Sequence, residues 1–193
     1  MILVTNPVDI LTRMITEASD LPPARVLGTS TMLDTTRLRL GLGRELRLDT
    51  HPVHAQAVGE HGDSGVVLWS GMRIGGVPLA DWPGWEAERK PELGEEVRSA
   101  AYRIIACKGA TNHAIGLVAA DLLRCLLRDE RRELTVSRAQ EGACGLRDVA
   151  LSLPAVVGAT SADSILEPAM TQAERENLGR SADGLRRAYA EII

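Results

Sequence analysis

The sequence predicts a piece of parallel α/β sheet followed by a larger α+β domain with antiparallel strands. Three observations carry this expectation. The chain opens on strand, helix and strand within its first 30 residues, which is the crossover unit of a parallel sheet. A long helical region, Glu92 to Arg128, is broken only once. Two apolar or alternating runs, Glu133 to Ala139 and Val149 to Val157, then lie close enough in sequence to pair antiparallel. With 193 residues, 45% of them apolar, the chain can bury a core.

Met1 to Thr5 is apolar on both faces, as in a buried parallel strand, and Asn6-Pro7 ends it. A helix follows, with Asp9 in its first turn and Ile10, Leu11, Met14, Ile15 and Ala18 at helical spacing, until Pro22-Pro23 stops it. Arg25 to Thr29 is a second strand. Leu33 to Leu48 reads as a helix with a stripe of Leu33, Leu38, Leu42 and Leu46. Gly41 and Gly43 each disfavour helix by about 1 kcal/mol relative to alanine, which leaves room for a bend or break there. Val53 to Val58 reads as one strand. Val66 to Trp69 and Arg73 to Leu79 read as a hairpin, with Gly71 and Gly75-Gly76 at the bends. Asp81 to Pro91 reads as a loop in which Trp82 and Trp85 are packing anchors. In the long helical region, Val97, Ala101, Ile104 and Ile105 form one stripe, Lys108-Gly109-Ala110-Thr111 interrupts it, and Ala114, Leu117, Val118, Leu122 and Leu126 resume it. Cys144 and Asp148 fall in the turn between the two later strands. Thr171 and Glu174 form a capping-box pattern, opening a terminal helix with Leu178, Ala182, Leu185, Tyr189 and Ile192 on one face.

Composition excludes several classes. Charges are mixed in sign and sum to -4, unlike the basic stripe of a nucleic-acid surface. Cys107, Cys125 and Cys144 are odd in number and far apart, which suggests reduced thiols in a cytoplasmic protein, and none has metal-ligand spacing. No apolar run is long enough to span a bilayer. Met1 to Pro7 has no basic region of a signal peptide.

The chemistry centres on Gly59-Glu60-His61-Gly62-Asp63-Ser64. The glycines let the chain turn sharply behind a strand, and an imidazole there is placed to react. A second stretch, Leu33-Asp34-Thr35-Thr36-Arg37, supplies what such an imidazole needs. A carboxylate such as Asp34 fixes the tautomer and stabilises the charged ring. Arg37, three residues on, shares a helical face with Asp34 and can clasp a substrate carboxylate with two parallel hydrogen bonds. Arg39 points to the opposite side of that helix. Together they suggest a small carboxylic acid reacting at a nearby carbon, although spacing alone does not bring the stretches together.

These stretches, with Asn6-Pro7-Val8-Asp9 before them and Lys108-Gly109-Ala110-Thr111 after, resemble in order and spacing the L-lactate dehydrogenase family, within the lactate/malate dehydrogenase superfamily. The likeness runs from Val4 to the end. It implies that residues 1–30 are the last part of a Rossmann dinucleotide-binding domain and that residues 31–193 are the substrate-binding, catalytic C-terminal domain. It implies NAD as cofactor, pyruvate and L-lactate as substrates, and a homo-oligomer, tetramer or dimer. In that family His61 would be the acid/base, Asp34 its orienting partner and Arg37 the carboxylate clamp. Asn6 and Thr111 would line the substrate, and Val4, Asn6 and Thr29 would lie along the cofactor. Arg39 and His54 match a basic pair that binds fructose 1,6-bisphosphate between subunits of allosteric members. No metal is implied.

The departures set limits. The family's glycine-rich loop, its ribose-binding acid and the mobile loop that selects lactate over malate lie outside this chain, so malate dehydrogenase stays open. The chain alone is therefore expected neither to bind NAD normally nor to turn over, and to show an exposed edge at Met1 to Thr5. Asn112-His113 stand where a small and an aromatic residue are expected, and His113 reads as a surface variation. Two rivals remain. Gly62-Asp63-Ser64-Gly65 copies a serine-protease nucleophile motif, but that class needs an all-β frame with its histidine far upstream. A non-catalytic assembly or effector-binding remnant is the other.

Overall fold

The computed structural model describes residues 1–192. A five-stranded mixed sheet has the order β1 (Ile2–Leu3), β2 (Leu27–Gly28), β8 (Arg132–Glu141), β9 (Arg147–Val157) and β10 (Ser164–Ile165). β1 and β2 are parallel and are joined over helix α1 (Val8–Ala18), whereas the other pairs run antiparallel. The opening strands and the later β ribbon thus share one sheet, in which β1 is an edge strand. Met1 and Val4 are exposed beside it, so the strand is not buried on both faces.

Helix α2 (Met32–Leu46) packs its predicted leucine stripe inward, with Leu38 and Leu42 fully buried. It runs unbroken through its glycines. A side chain at Gly41 would meet Leu93 at 2.5 Å, so glycine there admits a neighbouring helix, and that packing offsets the weak helix propensity. The expected strand from Val53 to Val58 is instead two, β3 (Val53–His54) and β4 (Ala57–Val58), in different small sheets. Backbone groups at the break bond elsewhere: the Ala55 carbonyl accepts from Arg39 Nε at 3.1 Å, and the N–H of Ala57, which opens β4, donates to Thr35 Oγ1 at 3.0 Å. β5 (Val66–Val67) pairs with β4, not with the run that follows it. The hairpin at Gly75-Gly76 joins β6 (Arg73–Ile74) to β7 (Val77–Pro78), and β3 extends it.

Helix α3 (Lys90–Lys108) begins just before the expected start, and α4 (Asn112–Leu127) follows the break at Gly109. Of the expected α3 stripe only Val97 is buried, and Ile105 is exposed. Helix α5 (Gln172–Ala190) opens with the full capping box that Thr171 and Glu174 predict, and buries Leu178, Ala182, Leu185 and Tyr189. Three apolar clusters result. One lies between the sheet, α2 and α4, around Leu122 and Val136. A second lies under α5, around Leu151 and Leu178. The third joins α2, α3 and the β3-β6-β7 sheet, and Trp69, Trp82 and Trp85 pack on it. Among the described residues, no helix is long and apolar enough to cross a membrane.

Candidate active site

The two stretches that spacing could not join meet through threonines. Thr31 Oγ1 donates to the Ala57 carbonyl at 2.7 Å, and Thr35 Oγ1 accepts the Ala57 N–H while lying 3.0 Å from Thr135 Oγ1. These buried hydroxyls lock the start of α2 to β4, two residues before the Gly59–Ser64 turn. From there His61 Nδ1 lies 2.6 Å from Asp34 Oδ2, and Arg37 donates to the other oxygen, Oδ1, at 3.2 Å. The three side chains are 21%, 14% and 14% exposed for His61, Asp34 and Arg37, so the pairs are screened less than surface ion pairs.

The loop is held from both sides. On one side Ser181 Oγ of α5 accepts the Glu60 N–H at 3.0 Å and meets the Ser64 hydroxyl, which also bonds the Glu60 carboxylate. Ser64 is thus engaged with α5 and Glu60. On the other side, the His61 N–H donates to Asp9 Oδ2 at 2.8 Å. Burial pulls the His61 pKa down, but the Asp34 hydrogen bond and the charges of Asp34 and Asp9 outweigh it, and the imidazole titrates above its ordinary value. Burial dominates at Asp9, whose carboxyl is pushed up although Ser30 and the His61 N–H donate to it.

His61, Asp34 and Arg37 border a cavity of about 200 Å³ that Asn6, Thr31 and, from α3, Arg98 and Tyr102 also line. Thr111, half-buried immediately before α4, is not among its lining residues. Val4 is 40% exposed at the end of β1, and Thr29 is buried after β2. Arg39 faces away from His61, as its helical phase requires, into a small second cavity shared with His54, Gln56 and Glu133. Burial lowers the Arg39 pKa, partly countered by Glu133. His113 is exposed, with Lys108 Nζ 2.8 Å from its Nδ1. Sequence reasoning did not single out Thr31, Thr35, Asp9 or Ser181 as parts of the site. The hydroxyls of Thr-Met-Leu-Asp-Thr-Thr were visible, but their partners lie far away in sequence.

The frame and the side chains together define a class: a mixed α/β domain presenting a carboxylate-paired histidine and an arginine to a cavity of small-molecule size. Residues 31–193 match the family model described as the lactate/malate dehydrogenase α/β C-terminal domain. The chain belongs to the lactate/malate dehydrogenase family. Similar curated proteins are named L-lactate dehydrogenase. That of Synechococcus sp. (strain JA-3-3Ab) is 43% identical over 192 residues, covering 99% of this chain and 63% of the relative. That of Thermus aquaticus is 42% identical, covering 100% and 64%. Among solved structures, the ligand-bound minor L-lactate dehydrogenase of Enterococcus mundtii matches with a TM-score of 0.95 at 33% identity, over 100% of this chain and 62% of that one. The chain thus spans less than two thirds of the length of these relatives.

Proposed function

We propose that this chain is the catalytic part of an NAD-dependent L-lactate dehydrogenase that interconverts pyruvate and L-lactate. The observation that carries the reading is the single carboxylate of Asp34 bonded at one oxygen to His61 and at the other to Arg37. With Nδ1 directed at Asp34, His61 uses Nε2 to give a proton to a keto oxygen, or to take one from a hydroxyl. Asp34 holds the ring in that tautomer and stabilises its charged form. Arg37 clasps the substrate carboxylate, which fixes the reacting carbon near the imidazole. Asn6 hydrogen-bonds the substrate from the carboxyl end of β1, where α/β sheets bind ligands.

Asn6 lines the cavity and Val4 is exposed on the same strand end, which suits the nicotinamide end of NAD, with Thr29 behind them. Bound NAD supplies or accepts the hydride. Residues 1–30 then complete a dinucleotide-binding unit, residues 31–193 form the substrate domain, and the protein works as a homo-oligomer in the cytoplasm. Arg39 and His54 take a sugar bisphosphate at their separate cavity. Titrating that compound against assembly and turnover of the full-length enzyme tests this, and no response ends it.

The central reading is tested by adding pyruvate or oxaloacetate to the isotope-labelled chain and following side-chain resonances. Pyruvate should perturb His61 and Arg37, and Arg37→Ala should abolish the effect. If neither acid touches those resonances, the reading fails. A stronger response to oxaloacetate favours the malate enzyme of the same family.

A further inference from the structure

We infer that Asp9 is a positioning residue for His61: a buried second carboxylate that holds the histidine by its main chain while Asp34 holds it by its ring. This deepens the acid–base reading above and rests on it for its meaning in catalysis. The geometry stands by itself. Asp9 is 3% exposed, and its two oxygens are divided between two donors. Oδ2 takes the His61 N–H at 2.8 Å and Oδ1 takes the Ser30 hydroxyl at 2.8 Å. It therefore ties three separate segments together: the first turn of α1, the link between β2 and α2, and the His61 loop.

Each partner is brought there by a local feature. A Cβ at Gly28 would lie 2.6 Å from Thr12 Oγ1 and 3.0 Å from Val8 Cγ2, so the absence of a side chain lets α1 settle onto β2 and carries Asp9 inward. Ser30 adopts φ 30, a backbone state that residues other than glycine rarely take, and in this state its hydroxyl reaches Asp9. A carboxylate so placed does more than fill space. Among the described residues it makes no salt bridge, and when protonated His61 is a positive charge close to it. Its charge therefore favours the protonated ring, adding to the effect of Asp34.

The charged or titratable groups that face His61 are Asp34 and Arg37 on α2, Asp9 on α1, Asp63 on its own loop, and Arg98 and Tyr102 on α3. The test is nuclear magnetic resonance of the whole chain, without cofactor or substrate. Two quantities are read: the titration midpoint of the His61 ring and the hydrogen exchange of its backbone amide. Asp9→Asn keeps an acceptor oxygen and removes the charge, so the midpoint should fall while amide protection largely persists. Asp9→Ala removes both, so the midpoint should fall and the amide should exchange about tenfold faster. Ser30→Gly, which relieves the backbone and removes the donor, should speed exchange of the same amide without loss of fold. A folded Asp9→Asn with an unchanged midpoint overturns the electrostatic role. His61 exchange unchanged in both Asp9→Ala and Ser30→Gly overturns the positioning role. Neither readout depends on pyruvate binding, so the substrate assignment can fail without touching this result.

Discussion

Replacing Gly59 by alanine isolates what holds the His61 loop in place. Gly59 has φ +83, and a Cβ there would lie 2.8 Å from Ser181 Oγ and 3.5 Å from Leu178 Cδ1. Two terms follow. The left-handed backbone costs an alanine roughly 1–2 kcal/mol. Forcing a methyl against α5 adds about 1–3 kcal/mol, as overpacking typically does. The sum is about 2–5 kcal/mol. Gly84 provides the reference, since it has φ +80 and nothing within 4 Å of its Cβ position. Gly84→Ala should therefore show the backbone term alone. Equilibrium urea unfolding of both variants gives the difference, expected at about 1–3 kcal/mol. The methyl would also push the loop off Ser181, so the Glu60 and His61 amides should exchange faster in Gly59→Ala only. Equal destabilisation of the two variants, within about 0.5 kcal/mol, would refute the idea that α5 presses on this turn.

Other consequences can be measured on the same chain. Asp34→Asn should lower the titration midpoint of His61, because the loss of the carboxylate leaves burial, which disfavours the charged ring, less opposed. In the parent chain the folded imidazole titrates above its unfolded value. Its contribution to stability is thus complete below about pH 6.5 and fades as pH rises through the raised folded value. Unfolding free energies of the parent and His61→Gln should converge over that interval, and a constant gap would contradict the pairing. Glu174→Gln should destabilise by about 1–3 kcal/mol, since the carboxylate accepts the Ser70 N–H, the Ser70 hydroxyl and the Thr171 N–H at 2.9, 2.5 and 2.8 Å. Burial raises the Glu174 pKa, but these donors outweigh it and the net direction is down. Its stabilisation is present above the unfolded carboxylate value and is lost as pH falls through the folded one, which acid titration of parent and variant will show. Leu38→Ala, in the cluster beneath α2, should cost about 2–5 kcal/mol by the same unfolding measurement.

Much of the frame was legible because the elements that carry it are long or strongly marked. The capping box at Thr171 and the ribbon of β8 and β9 depend on local patterns, and the structure follows them. Short runs were misread where tertiary partners take over the backbone. Val53 to Val58 looks like one strand, yet the Ala55 carbonyl and the Ala57 N–H both bond to α2 side chains, which breaks the ladder. Helix α1 reverses its expected emphasis: Asp9 and Thr12 are buried, while Ile10, Leu11, Met14 and Ile15 are only partly so. In the candidate site, the shared face of Asp34 and Arg37 followed from spacing, and the likeness to a known family supplied the link to His61. The role of Asp9 was hidden because an acid in a first turn ordinarily complements the helix dipole. Only the close approach permitted by Gly28 shows that it points inward.

Helix α5 sets the order in which the molecule can be made. Its Ser181 lies 121 residues beyond Glu60, and its Glu174 lies 104 residues beyond Ser70, yet these two side chains tie down both ends of the segment bearing the histidine. During synthesis these two ties therefore cannot form until α5 has been translated, whereas the contacts of His61 with Asp9 and Asp34 can form earlier. Contacts of such span carry a large loop-closure entropy, which slows folding. The loop around His61 thus gains its α5 supports only after that helix has been synthesised.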